Sequence, residues 1–175
     1  MGKWRVILQP LHELMKHGIQ RVRQFGKRLF FARRGENPLS DIACIDLEIT
    51  TFCNLACRCC PRKSLVNSGE SLDLKGLRKA YEFFPFFPNL KTIQLVGLGE
   101  ATLHPQLAKV VEYLSGTGKQ LTLITNGIMA TPAFMKDLLG SFASVRVSLD
   151  AATPETYEKV RQGASFSPLI KNLSG

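Results

Sequence analysis

The sequence predicts an α/β fold: a partial (βα) barrel of about four parallel βα units, preceded by an N-terminal amphipathic helix. Three observations carry this. Short apolar runs alternate with amphipathic stretches of about ten residues, the pattern of parallel strands joined by helical crossovers. Each apolar run ends on small or polar residues. The basic charge is concentrated ahead of the first run.

The arm comes first. Residues 1–34 hold nine Lys and Arg against Glu13 alone, so eight of the net +9 charges lie there. Trp4, Ile7, Leu8, Leu11, Leu14, Met15, Ile19, Val22, Phe25 and Leu29 recur mostly at spacings of three and four, the stripe of an amphipathic helix. Pro10 suits the first turn of a helix reaching about Phe31. Gly35-Glu36-Asn37-Pro38 is a linker, because Pro38 blocks helix continuation. The expected division is therefore 1–40, a basic helical arm and linker, and 41–175, the partial core.

The body then alternates. Strands are expected at Cys44–Thr50, Lys91–Val96, Gln120–Thr125 and Ser144–Leu149. Helices are expected at Asp73–Phe83 with Asp73 near the N-cap, at Pro105–Leu114 with proline at N1, and at Thr131–Leu139. Two more open at Thr153-Pro154 and Ser167-Pro168. Phe83-Phe84-Pro85-Phe86-Phe87-Pro88 is an apolar loop, since two prolines oppose a helix. Right-handed crossovers curl such a sheet into part of a barrel or leave it open.

Composition excludes several classes. No apolar run reaches the roughly 18–20 residues of a membrane span. Pro10, His12 and Glu13 interrupt any secretory h-region. Four of the five cysteines fall within eight positions, which suits metal or redox chemistry in a reducing compartment better than a disulfide framework. The expected location is cytoplasmic, with peripheral membrane contact through residues 1–34 ranked above nucleic acid, because the body continues no basic surface. A helix packing its stripe on the protein and leaving Lys and Arg solvated is the plain alternative.

Cys53-Asn54-Leu55-Ala56-Cys57-Arg58-Cys59-Cys60 contains C-x-x-x-C-x-x-C. Three thiolates on one short loop can converge on one iron–sulfur cluster, and a cubane would keep one iron open. A four-cysteine zinc site needs a second well-spaced pair, which the sequence lacks. A Cys57-x-x-Cys60 dithiol leaves Cys53 unexplained. Cys44 reads as a small buried side chain and Cys59 as a packing residue.

Weaker signals follow the later strands. Gly97-Leu98-Gly99-Glu100 offers close backbone approach and an acceptor carboxylate suited to an ammonium group. His104 is as consistent with a helix start as with catalysis. Thr125-Asn126-Gly127 and Ser148-Leu149-Asp150 are each ordinary turn chemistry taken singly. Together they line the carboxyl edge of a parallel sheet, where ligands bind.

These residues resemble a family. Leu47 through Pro61 is similar to the cluster-binding segment of radical S-adenosylmethionine (SAM) enzymes. Gly97-Leu98-Gly99-Glu100 resembles their SAM amino-group motif, with Leu98 in place of a glycine and Ala101 in place of a proline. Thr125-Asn126-Gly127, Val147-Ser148-Leu149-Asp150, Thr153–Tyr157 and Arg161-Gln162-Gly163 resemble the branch that often carries a SPASM domain. The resemblance spans about 44–172.

It implies a 4Fe-4S cluster on Cys53, Cys57 and Cys60, with SAM bound at the open iron. It implies that Glu100 and the Gly99 backbone hold the SAM amino group, that Ser148 and Arg161 contact its carboxylate or ribose, and that Asn126 supports the pocket. It names no catalytic side chain and no substrate, and it implies a reductant such as a flavodoxin or ferredoxin. The family core usually has six βα units, against about four here. The competing expectations are a truncated, non-catalytic module that binds the cluster or SAM without turnover, and a basic binding protein acting through its arm.

Overall fold

A computed structural model describes residues 37, 39–65, 69–129, 138 and 140–174, together with the backbone of 6–8. The expected helices at Pro10–Phe31 and Thr131–Leu139 lie outside the described residues, Leu138 excepted.

Among the described residues five strands form one parallel sheet: β1 (Val6–Leu8), β2 (Cys44–Leu47), β3 (Thr92–Leu95), β4 (Gln120–Thr125) and β5 (Ser144–Val147). Their spatial order equals their chain order. That is the winding of a (βα) barrel, here a partial one. β1 departs from expectation. Ile7 and Leu8, placed by spacing on the helical stripe, lie in a strand paired with Asp46 and Leu47. Three consecutive apolar residues serve either structure, and strand pairing decides.

The sheet has two unlike faces. Ile45, Leu47, Ile93, Leu95, Leu121 and Leu123 are buried on one face, beneath α2 (Leu74–Tyr81) and α3 (Leu107–Ser115). Leu77 comes from α2; Leu107, Val110, Val111 and Leu114 come from α3 at helical spacing. Each such side chain contributes roughly 1.5–3 kcal/mol by leaving water. On the other face β2 and β3 carry polar side chains: Gln94 Nε2 donates to Asp46 Oδ1 at 2.9 Å across the β2–β3 register.

Local chemistry sets the helix ends. Asp73 caps α2 by accepting from Gly76 N at 2.6 Å, and Thr153 caps α4 (Pro154–Val160). Pro105 is not the first residue of α3. It is the second residue of a turn closed by Leu107 N on His104 O at 3.1 Å, a place that suits its fixed φ, and the helix starts after it. α5 (Phe166–Ser174) begins before Pro168, whose missing N–H falls among first-turn groups that lack intrahelical partners anyway. Among the described residues three short pieces were not expected: α1 (Arg62–Leu65), just past the cysteines, a 3₁₀ turn at Phe84–Phe86 within the apolar loop, and a 3₁₀ turn at Ala101–Leu103 just after Glu100. That loop buries Phe84 and Phe87 and exposes Phe83 and Phe86.

Candidate cluster and cofactor site

The cysteine loop leaves β2 and is closed at its neck. Leu72 N donates to Ile49 O, Thr51 N donates to Glu70 O, both at 2.8 Å, and the Thr50 and Ser71 hydroxyls meet at 2.8 Å. The far side docks on the chain after α4. Ala56 N donates to Gln162 O at 2.8 Å and Arg58 N to Val160 O at 2.9 Å. Leu55 is buried with Tyr157, Ala164 and Leu169, and Cys53 and Cys57 pack against that cluster. A segment more than a hundred residues downstream therefore fixes the loop.

None of the five cysteines is in a disulfide. Cys53, Cys57 and Cys60 are half-buried, and Cys59 is exposed. Cys60 N donates to Cys57 O at 3.2 Å, turning the chain between them. Burial pushes the Cys57 thiol pKa up; Arg161 opposes this, while Cys53, Cys60 and Cys59 add to it. Cys44 opens β2, at the opposite end of the strand from Cys53. Among the described residues no three His, Cys, Asp or Glu side chains meet as a single-ion site. Thiolates that each bind a different iron of a cubane need a wider spread, and three reduced, half-buried thiols on one loop supply the donor set.

Beside this loop lies Gly97–Glu100. Glu100 N donates to Phe52 O at 2.7 Å. A Cβ on Gly99 would stand 2.0 Å from Thr50 O, so this glycine permits contact between the two loops. The Glu100 side chain is only 4% exposed and turned inward. Oε1 accepts from Thr102 N (3.1 Å), Thr102 Oγ1 (2.7 Å) and Thr125 Oγ1 (2.7 Å); Oε2 accepts from Asn126 N (2.6 Å). Glu100 thus joins the ends of β3 and β4 and keeps acceptor capacity on Oε2 alone.

Asn126 Nδ2 donates to Asn54 Oδ1 at 2.8 Å, linking the β4 end to the cysteine loop. Ser148 N donates to Thr125 O at 2.8 Å, and its residue is half-buried. Arg161 donates to Asp150, and its Nη1 lies 3.9 Å from Cys57 Sγ. Of the expected site residues, Asn126 is bonded directly to Glu100, Ser148 reaches Glu100 through Thr125, Arg161 meets Cys57, and Cys53 packs with Cys57 against the Tyr157 cluster. His104 is buried and structural: Nε2 meets Leu72 O at 2.8 Å and Nδ1 accepts from Gln106 N at 3.1 Å.

Sequence reasoning passed over Glu48, Asn54 and Asp150 as partners. Glu48 had a signal, a carboxylate between the apolar residues Leu47 and Ile49 on a strand end. It is 4% exposed and accepts from Leu98 N and Gly99 N.

The superfamily pattern for radical SAM proteins matches residues 47–174, and the chain belongs to the radical SAM superfamily. Members of this superfamily use a 4Fe-4S cluster and SAM. The tungsten-containing aldehyde ferredoxin oxidoreductase cofactor-modifying protein of Pyrococcus furiosus is 34% identical over 92 residues, covering 53% of this chain and 26% of that protein. The mycofactocin maturase MftC of Mycobacterium tuberculosis is 27% identical over 143 residues, covering 79% and 35%. The chain thus spans about a quarter to a third of the length of these relatives. The crystal structure of BtrN in complex with AdoMet and 2-DOIA superposes with a TM-score of 0.55 at 18% identity, covering 74% of this chain and 54% of that one, which shows the shared fold.

Proposed function

We propose that this chain forms the cluster- and SAM-binding part of a radical SAM enzyme of the SPASM-associated branch. In this reading Cys53, Cys57 and Cys60 hold the 4Fe-4S cluster. When bound, the cluster and SAM supply a reductive cleavage of the sulfonium C–S bond that yields a 5′-deoxyadenosyl radical, and hydrogen abstraction from a substrate follows. The protein's own contribution is positioning. Gly99 and the remaining acceptor position of Glu100 Oε2 receive the SAM ammonium. Ser148 and Arg161 face its carboxylate or ribose. Asn126, through Asn54, keeps the pocket in register with the cysteine loop.

The supporting observation is that Glu100 at the β3 end, Asn126 at the β4 end and Arg161 at the end of α4 are each tied to the cysteine loop, through Phe52 O, Asn54 Oδ1 and Cys57 Sγ respectively. A site formed from one loop would need none of this. A flavodoxin or ferredoxin is the proposed reductant, in the cytoplasm. Residues 1–34 are proposed to touch anionic membrane through their basic charge. Among the described residues no helix is long and apolar enough to cross a membrane. Liposome flotation tests the arm: retention that requires anionic lipid and is lost on deleting 1–34 supports the contact.

Anaerobic reconstitution tests the central reading. Wild-type protein should take up about four irons and sulfides. Cys53→Ala, Cys57→Ala and Cys60→Ala should each abolish uptake, whereas Cys44→Ala and Cys59→Ala should retain it. With a strong reductant, release of 5′-deoxyadenosine from SAM supports the enzyme. Cluster and SAM binding without release supports a non-catalytic module. Loss of iron in Cys59→Ala alone would overturn the ligand assignment.

A further inference from the structure

Glu48 sits one residue past β2, buried behind the Gly97–Glu100 loop. Its Oε1 accepts two hydrogen bonds from consecutive loop amides, Leu98 N and Gly99 N, the latter at 3.2 Å. A planar trans peptide directs its carbonyl opposite to its N–H. With these two amides aimed at Glu48, the carbonyls of Gly97 and Leu98 face away from it. No donor among the described residues bonds to either carbonyl. The arrangement is a buried carboxylate on one side of two peptides and two free carbonyl oxygens on the other. Hydrogen bonding to the carboxylate polarises each peptide and makes its oxygen a better acceptor. Such a pair of oxygens suits an ammonium group.

The loop is fitted to this carboxylate. A Cβ on Gly97 would lie 2.3 Å from Glu48 Oε1, so an alanine there displaces the side chain. Gly99 cannot retreat, because Thr50 O stands behind its Cβ position at 2.0 Å.

We infer that Glu48 is a positioning residue for the amino group of SAM: by holding the Leu98 and Gly99 amides it sets the Gly97–Gly99 backbone so that its carbonyls meet the amino group beside Glu100, without touching the cofactor itself. This rests on the radical SAM reading above and adds to it a residue outside the expected site.

The test uses the reconstituted 175-residue chain, with SAM and an analogue lacking the α-amino group as probes. Iron content reports the cluster, a thermal melt reports folding, and equilibrium dialysis reports binding. Glu48→Ala should keep its iron and bind SAM about tenfold or more weaker, the loss expected for hydrogen bonds to a charged group. The amine-free analogue should bind wild type and Glu48→Ala alike. Glu48→Gln keeps an oxygen at the Oε1 position and should bind SAM nearly as wild type does. Gly97→Ala should weaken SAM binding, and the Gly97→Ala/Glu48→Ala double variant should be no weaker than Glu48→Ala alone, because the alanine then has no side chain to displace. The inference is overturned if Glu48→Ala retains wild-type SAM affinity, if both probes weaken equally, or if Glu48→Gln fails as badly as Glu48→Ala. Should Glu48→Ala not fold, Gly97→Ala decides: unchanged SAM affinity there overturns the inference. Wild-type chain that takes up no cluster or binds no SAM sinks the parent reading, and the inference with it.

Discussion

Asp150 Oδ2 accepts a hydrogen bond from Arg161 Nε at 2.7 Å and pairs with its Nη2 at 2.6 Å, and this ion pair holds the remaining guanidinium nitrogen 3.9 Å from the sulfur of Cys57. The arginine is mostly buried, at 13% side-chain exposure, so its charge is screened less than that of a surface residue. A cation this close favours the thiolate, the form that binds metal. Burial raises the Cys57 pKa and Arg161 counters it. Removing the guanidinium should raise it further. In apo protein, the pH midpoint for alkylation of Cys57 by iodoacetamide should therefore move up in Arg161→Met, followed by peptide mass spectrometry. An unchanged or lower midpoint would show that the guanidinium does not act on this sulfur.

Glu100 carries a different expectation from the one its place in the sequence suggests. Its carboxylate satisfies Thr102 N, Thr102 Oγ1, Thr125 Oγ1 and Asn126 N inside the protein. Glu100→Ala orphans these buried donors, and each such group costs about 1–3 kcal/mol. The variant should lose roughly 3 kcal/mol or more of stability in urea or thermal unfolding, together with SAM binding. A variant as stable as wild type that only loses SAM would return Glu100 to a purely cofactor-facing role.

Much of this architecture is legible in the sequence, for reasons that differ between residues. Gln120–Thr125 was expected and observed with the same bounds, because apolar Leu121 and Leu123 alternate with polar neighbours between a glycine turn and Asn-Gly. Asp73 was readable as a cap and Thr153-Pro154 as a helix start, because a short polar side chain before a helical stretch has one favoured use. The three cysteines stand out by spacing alone. The partners of the site residues did not. Whether Glu100 faces a ligand or Thr125 depends on the distance between strand ends, which no local pattern encodes. Asp150 and Arg161 are eleven residues apart, across the whole of α4, and meet only because the chain folds back there. Gly97 and Gly99 looked like glycines clearing space for a ligand, but the neighbours they clear belong to Glu48 and Thr50. β1 was hidden because the apolar spacing of Val6–Leu8 continues that of the arm.

Tyr157 is fully buried, and among the described residues its hydroxyl has no hydrogen-bond partner. Its ring meets Phe166 edge-on at 5.4 Å. The ring is packing, whereas the hydroxyl is an unpaired polar group that costs free energy to bury. Tyr157→Phe should therefore fold as well as wild type or gain about 1 kcal/mol. Tyr157→Ala should lose about 3–5 kcal/mol through the cavity it leaves beneath the cysteine loop. A Tyr157→Phe variant that loses more than about 1 kcal/mol in chemical denaturation would show that the hydroxyl has a partner after all.

His104 makes the fold sensitive to mild acid. Its two ring nitrogens are committed to opposite roles: Nδ1 accepts from Gln106 N, so Nε2 carries the proton that it donates to Leu72 O. Protonating Nδ1 would set two donors against each other in a site where the residue is 5% exposed. Burial lowers the pKa from 6.5, opposed by the bond to Leu72. A histidine with a depressed folded pKa binds its proton more readily when unfolded. Its contribution to stability is therefore complete above pH 6.5 and is lost as pH falls from there through the folded pKa. In that window the slope for one group reaches at most about 1.4 kcal/mol per pH unit. Urea unfolding between neutral pH and mild acid should show declining stability, with iron content not entering the measurement because apo protein suffices. His104→Gln, which cannot titrate, should remove most of that decline. A wild-type profile that is flat across the window, or one that stays equally steep in His104→Gln, would assign the acid sensitivity to another group.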